Sequence, residues 1–294
     1  MIASTIAVEL VVDARAELGE GPVWDDRAGC LYFVDILRAR VHRFQPAEGS
    51  LRTYEIEQFV GAVALTECGD LVLAVREGFA RLDIETGIVR MVATVESRSP
   101  DRRMNDGNCD AAGRFWAGTM ALDEQSGAGA LYRLDPGGSV QTMLAPVSIS
   151  NGIDWSSDGT RMFFIDSPTQ AIDVFDFDLS HGTVANRRRF VSIAPELGVP
   201  DGLTLDADEH VWVALWGGGA VHRYAPDGSL DATVRLPVAY PTSCAFGGAG
   251  LLDLYVTTAA TKLTTAERAN QPHAGGLFRC RPGPAGRRPH RFKG

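Results

Sequence analysis

The chain reads as an all-β protein, a six-bladed β-propeller, and three observations lead there. First, one order of residues recurs: a polar residue, a short run of small or apolar residues, a turn, then a strand. It is clearest in Arg103–Met120 (RMNDGNCDAAGRFWAGTM) and returns at Glu20 (EGPVWDDRAGCLYFVD), Val60 (VGAVALTECGDLVLAV), Asn151 (NGIDWSSDGTRMFFID), Asp201 (DGLTLDADEHVWVAL) and Ser243 (SCAFGGAGLLDLYVTT). Second, the six starts, at Glu20, Val60, Asn105, Asn151, Asp201 and Ser243, lie 40, 45, 46, 50 and 42 residues apart. A period of roughly 40–50 residues with several short strands per unit is that of propeller blades, none of which can bury its own faces alone. Third, no linker interrupts the repeat between about residues 20 and 280, so residues 1–294 are expected to form a single domain.

Composition limits the partners. Hydrophobic residues at 45% and charged residues at 22% are ordinary for a globular chain with ample core, and 32 glycines suit many tight turns. A net charge of −9 argues against nucleic acid, whose binding is driven mainly by basic charge. No apolar run approaches the roughly 18 residues of a membrane span, so no membrane partner is expected. Residues 1–12 lack a basic n-region and carry Glu9, so no secretory signal is expected. Cys30, Cys68, Cys109, Cys244 and Cys280 are scattered, odd in number and without a C-x-x-C pair, which leads to an expectation of reduced thiols in the cytoplasm. A monomer or weak homo-oligomer is expected.

Each element follows in order. Ala7–Val12 (AVELVV) is a strand with no sequence neighbour to pair with, and pairing it with the last blade would close the ring and remove its edges. Alternating apolar and polar residues predict strands at Cys30–Asp35 and Arg40–Phe44 in blade one and at Leu71–Val75 and Phe79–Asp83 in blade two. Blade three carries Arg114–Ala117 and Ala130–Leu134, separated by a glycine-rich loop, Asp123–Gly129, whose spacing is wrong for a phosphate loop. Blade four has Met162–Ile165 and Ala171–Phe177, and blade five has His210–Leu215 and Ala220–Tyr224. Blade six has Leu254–Thr258, a longer connection Ala259–Gly275, and Gly276–Cys280. The basic tail, residues 281–294, reads as a solvated terminus.

Equivalent positions on the innermost strands of a propeller form a ring in its central channel. Of the six here, Glu20, Asn105, Asn151 and Asp201 could each give oxygen to a hard cation, and two of them are acids. Any one Asn-Gly or Asp-Gly pair is accounted for by turn chemistry. Four polar candidates in register favour a metal-binding channel.

Several multi-residue stretches then carry a resemblance. Gly19-Glu20-Gly21-Pro22-Val23-Trp24, Arg103-Met104-Asn105-Asp106-Gly107, Ala117-Gly118-Thr119-Met120, Ser150-Asn151-Gly152, Pro200-Asp201-Gly202 and His273-Ala274-Gly275-Gly276-Leu277-Phe278 resemble the signatures of the regucalcin/gluconolactonase family, in order, over nearly the whole chain. The resemblance implies a six-bladed propeller with one divalent ion in its channel, hydrolysing sugar lactones. By position it implies Glu20, Asn151 and Asp201 as metal ligands, and Arg103 and Asn105 as a substrate-binding pair. Asp123 falls where a substrate-contacting glutamate stands, one methylene shorter, and Met104 stands where an aromatic residue is common. Calcium is the expected cation, with zinc, manganese and magnesium as the alternatives.

In that reading the ion polarises the lactone carbonyl and acidifies water. Asp201 is both ligand and proton acceptor, Arg103 holds sugar hydroxyls or the developing oxyanion, and Asn105 adds a hydrogen bond. Asp106 is a reserve candidate for the base. No G-x-S-x-G elbow supports serine chemistry, and His273 in the final loop reads as a surface residue. Two other readings stand beside it: a non-catalytic propeller that binds calcium or another ligand, and a hydrolase of another ester such as an organophosphate. The loops Asp123–Gly129, Trp216–Gly219 and Ala259–Gly275 would contact the substrate, and they carry no readable code for it.

Overall fold

The computed structural model describes residues 6–95 and 99–294. Six four-stranded antiparallel sheets are arranged as blades. In the first five, each strand pairs with the next in sequence. The sixth is built from Pro241–Gly247, Asp253–Thr258 and Leu277–Cys280, and its outer strand is the N-terminal Val8–Val12, with Leu10 opposite Phe278. The first strand therefore closes the ring on the last blade, as its lack of a local partner predicts. One short helix, Thr265–Asn270, interrupts the final connection. The five cysteines are free thiols.

The core is divided among the blade interfaces. Tyr32 and Leu73 pack between blades one and two, Phe79 and Phe115 between two and three, and Trp116 and Trp155 between three and four. Phe163 and Leu205 lie between four and five, Trp212 and Phe246 between five and six, and Trp24 and Tyr255 join six to one. Burying one such large apolar side chain contributes roughly 1.5–3 kcal/mol. No blade holds a complete core, so the blades stand together.

The innermost strands are Gly19–Asp25, Val60–Leu65, Arg102–Cys109, Ser150–Trp155, Val199–Leu205 and Pro241–Gly247. Each shifts register against its neighbour at one place: Glu20/Val23, Val60/Ala62, Met104/Gly107, Asn151/Ile153, Pro200/Leu203 and Pro241/Ser243. Such irregularities re-aim side chains, and here they coincide with the repeat starts. The strands also crowd together at this level: a Cβ on Gly61 would lie 2.5 Å from the Met104 carbonyl oxygen. Only glycine permits that approach.

The tail departs from its expected solvated state. Residues 285–294 form a strap across one end of the channel. Ala207 N–H donates to Ala285 O, Gly286 N–H to Leu251 O, Phe292 N–H to Leu65 O, and Lys293 N–H to Gly113 O. Arg287 donates to the Trp155 carbonyl at 2.7 Å, and Arg291 to Asp25 at 2.6 Å and Asp26 at 2.9 Å. Phe292 is 2% exposed and joins the core between blades two and three. Arg287 and Arg291 are taken up by acids and carbonyls at the blade ends, whereas Arg281 and Arg288 stay largely exposed, as expected of the tail.

Candidate active site

At the opposite end of the channel from the strap lies a cavity of about 420 Å³. Glu20, Arg103, Asn105, Asn151, Ser167 and Asp201 are among its polar lining residues. These come from blades one, three, four and five. The structure therefore brings together five of the six site residues read from the sequence. The sixth, Asp123, is exposed, and its Oδ1 accepts from Gln125 N–H at 3.1 Å within its own turn. Its neighbour Glu124 lines the cavity in its place. The ring is not a single level: Ser243 and Asp106 line a second cavity of about 190 Å³ at the strapped end, and Val60 lines neither. Trp216 forms part of the larger cavity's wall, and His273 is exposed and outside it.

Asp35 and Asp166, at the ends of the strands Cys30–Asp35 and Arg161–Asp166, set the backbone just ahead of two of these residues. Asp35 accepts from the N–H groups of Glu17 and Leu18 at 2.9 and 3.1 Å, and Asp166 from Ser148 and Ile149 at 3.1 and 2.9 Å. Sequence reading did not assign them this role. The signal was present, because FVD and FID end equivalent strands in the two repeats.

Within the cavity, Arg103 Nη1 donates to Asn105 Oδ1 at 2.6 Å and to the Met104 carbonyl at 3.0 Å. Asn105 Nδ2 donates to the Ser150 carbonyl at 2.8 Å, which fixes its amide and so aims the guanidinium. Asn151 Nδ2 donates to Ser167 Oγ at 2.9 Å, and that hydroxyl donates onward to the Pro200 carbonyl at 2.8 Å. This chain orients the Asn151 amide and leaves its Oδ1 buried without a hydrogen-bond partner.

Burial pushes the Glu20 carboxyl well above its ordinary range, and the charges of Asp201 and Asp106 push it further. Burial also raises Asp201, followed by the charge of Asp106, with Asn151 and Arg103 opposing. Burial lowers Arg103 to about 10 against the pull of Glu20, Asp201 and Glu124, which leaves it cationic at neutral pH. Two buried carboxylates that repel each other, beside an amide oxygen lacking a donor, form a donor set suited to a hard divalent cation. The residues present fit the group.

Comparison with known proteins agrees in fold and sequence. Residues 18–260 match the family model described as SMP-30/Gluconolactonase/LRE-like region. The chain is 37% identical to the putative sugar lactone lactonase YvrE of Bacillus subtilis, covering 97% of this chain and 98% of that one. It is 39% identical to regucalcin of Gallus gallus over 94% of each. Among solved structures it is similar to a calcium-binding protein, regucalcin, from Agrobacterium tumefaciens, with a TM-score of 0.94 and 30% identity over 98% of each chain.

Proposed function

Because the chain belongs to the SMP-30/gluconolactonase/regucalcin family, we propose that it is a divalent-metal-dependent lactonase that opens the ester ring of a sugar lactone to the aldonic acid. The observation that carries this reading is the convergence of Glu20, Asn151 and Asp201 from three blades on one cavity, with the Arg103 guanidinium beside them. Those three side chains would hold the cation, calcium in the first instance. When bound, the cation supplies Lewis acidity toward the lactone carbonyl and toward water.

The chain's own residues then divide the work. Arg103, held by Asn105, gives a buried positive charge beside the reacting ester, where a developing oxyanion gains more from it than it would in water. Asp201 accepts the proton taken from the attacking water. Leu18, Leu37, Leu122 and Trp216 give the cavity an apolar part of its wall. Apolar wall of this kind suits the C–H faces of a sugar ring.

The test is proton release from a panel of sugar lactones by chelator-stripped protein, with calcium, magnesium, manganese or zinc returned separately and spontaneous hydrolysis subtracted. Turnover that requires a cation supports the reading. Cation binding with no turnover of any lactone would replace it with the binding-protein reading, which the description of the Agrobacterium tumefaciens relative as calcium-binding favours. Turnover confined to other esters would move the substrate class.

A further inference from the structure

Glu20, Asn151 and Asp201 share one feature: the carbonyl just ahead of each is held by a side chain from the blade before it in the ring. Thr242 Oγ1 of blade six donates to the Gly19 carbonyl of blade one at 2.5 Å. Asn105 Nδ2 of blade three donates to the Ser150 carbonyl of blade four at 2.8 Å, and Ser167 Oγ of blade four donates to the Pro200 carbonyl of blade five at 2.8 Å. At two other repeat starts the same carbonyl is taken within its own blade. Ahead of Val60, Phe59 O accepts from Arg76 N–H at 2.9 Å, and ahead of Asn105, Met104 O accepts from Arg103 Nη1 at 3.0 Å.

The two hydroxyl donors are themselves fixed. Thr242 is fully buried and falls at the register shift of its strand, between Pro241, opposite Thr258, and Ser243, opposite Thr257. Ser167 is buried, and its own N–H donates to the Ile149 carbonyl at 3.1 Å. A carbonyl can only accept, so the one hydroxyl proton of Ser167 goes to Pro200 and its oxygen is left to accept from Asn151 Nδ2. Behind the ligands the next blade stands close. A Cβ on Gly152 would lie 2.8 Å from the Asp201 carbonyl oxygen, and one on Gly202 2.2 Å from Ser243 Oγ.

We propose that Thr242 and Ser167 are positioning residues of the cation site, Thr242 holding the backbone of Glu20, and Ser167 holding the backbone of Asp201 and the amide of Asn151, each across a seam between blades. This rests on the metal-dependent reading. A coordination set works only when its donors are kept within about 0.5 Å of their places, and these donors stand on three separate sheets. The seams are therefore tied at the level of the ligands. Neither hydroxyl acts on the ester; both act through the residues that hold the cation.

The experiment is calcium binding to chelator-stripped protein by titration calorimetry, each form first shown by urea unfolding to be folded. Ser167→Ala and Thr242→Val should each raise Kd about tenfold or more, whereas Ser167→Thr and Thr242→Ser, which keep a hydroxyl, should stay within about threefold of wild type. Should Thr242→Val not fold, Thr242→Ala takes its place. If the forms without the hydroxyl bind calcium as wild type does, or the forms that keep it lose as much, the proposal is overturned and the cation reading stands. A wild type that binds no divalent cation overturns both.

A second background separates positioning from a general loosening of the fold. In Asn151→Asp the carboxylate presents an oxygen on either side and needs no orienting, so Ser167→Ala should there cost only about threefold, while Thr242→Val keeps its loss of about tenfold. A Ser167→Ala loss of the same size in both backgrounds is what loosening would give, and it overturns the role assigned to Ser167.

Discussion

The two ends of the channel are built from the same six inner strands and treat charge in opposite ways. At the strapped end, acids meet cations: Asp154 takes Arg287 at 3.3 Å, and Asp25 and Asp26 share Arg291. At the open end Glu20 and Asp201 are buried near each other, and the Asn151 oxygen has no donor. Pairing favours stability, whereas unpaired buried carboxylates cost it and persist where a ligand uses them. Neighbouring residues of one strand serve both ends: Asn105 lines the larger cavity and Asp106 the smaller.

Substitutions at the two ends should therefore separate activity from stability. Asp201→Asn takes the charge from a cation ligand and removes the proton acceptor, and kcat/KM for a sugar lactone should fall by about a thousandfold or more. The stripped variant should unfold in urea at a concentration no lower than wild type, because a buried repelling charge has gone. A turnover rate near wild type would take Asp201 out of the mechanism.

Phe292→Ala tests the other end. It removes a ring packed between blades two and three and should cost about 3–5 kcal/mol in urea unfolding, with kcat/KM at 25 °C within about twofold. A tail that merely lies in solvent would show no loss. Calcium joins the two measurements: at a thousand times its Kd it should stabilise stripped wild type by about 4 kcal/mol. It should stabilise Asp201→Asn by much less. Equal stabilisation of both would put the cation somewhere other than between Glu20, Asn151 and Asp201.

The open end was far more legible in the sequence than the strapped one. Glu20, Asn105, Asn151 and Asp201 stand at repeat starts, so a 40–50-residue period brings them to one channel before any coordinates are known, and the ring closure by Val8–Val12 follows from a strand without a neighbour. The strap has no repeat to compare with. Its arginines find partners on four blades, a match that only the assembled ring creates, and composition alone reads them as solvated. Asp123 failed to enter the cavity for a local reason: its carboxylate is taken up by the Gln125 N–H of its own turn, and Glu124 lines the cavity instead. Lys262, which also lines the cavity, lies in a connection with no periodicity and was hidden likewise.

Asp106 lies between the two treatments of charge, and pH resolves which one it follows. Burial raises its carboxyl from the ordinary 3.8 to about 6, with only the Gly107 N–H opposing. The folded state thus binds the proton more tightly than the unfolded chain. The stabilising contribution is fully present below about 3.8 and is lost as pH rises through about 6, a swing of at most about 3 kcal/mol. In stripped protein, Asp106→Asn should be more stable than wild type at pH 7.5 and no more stable at pH 4. If Asp106 instead belongs with the paired charges of the strapped end, the substitution will destabilise at pH 7.5, and the order of the two unfolding curves will reverse.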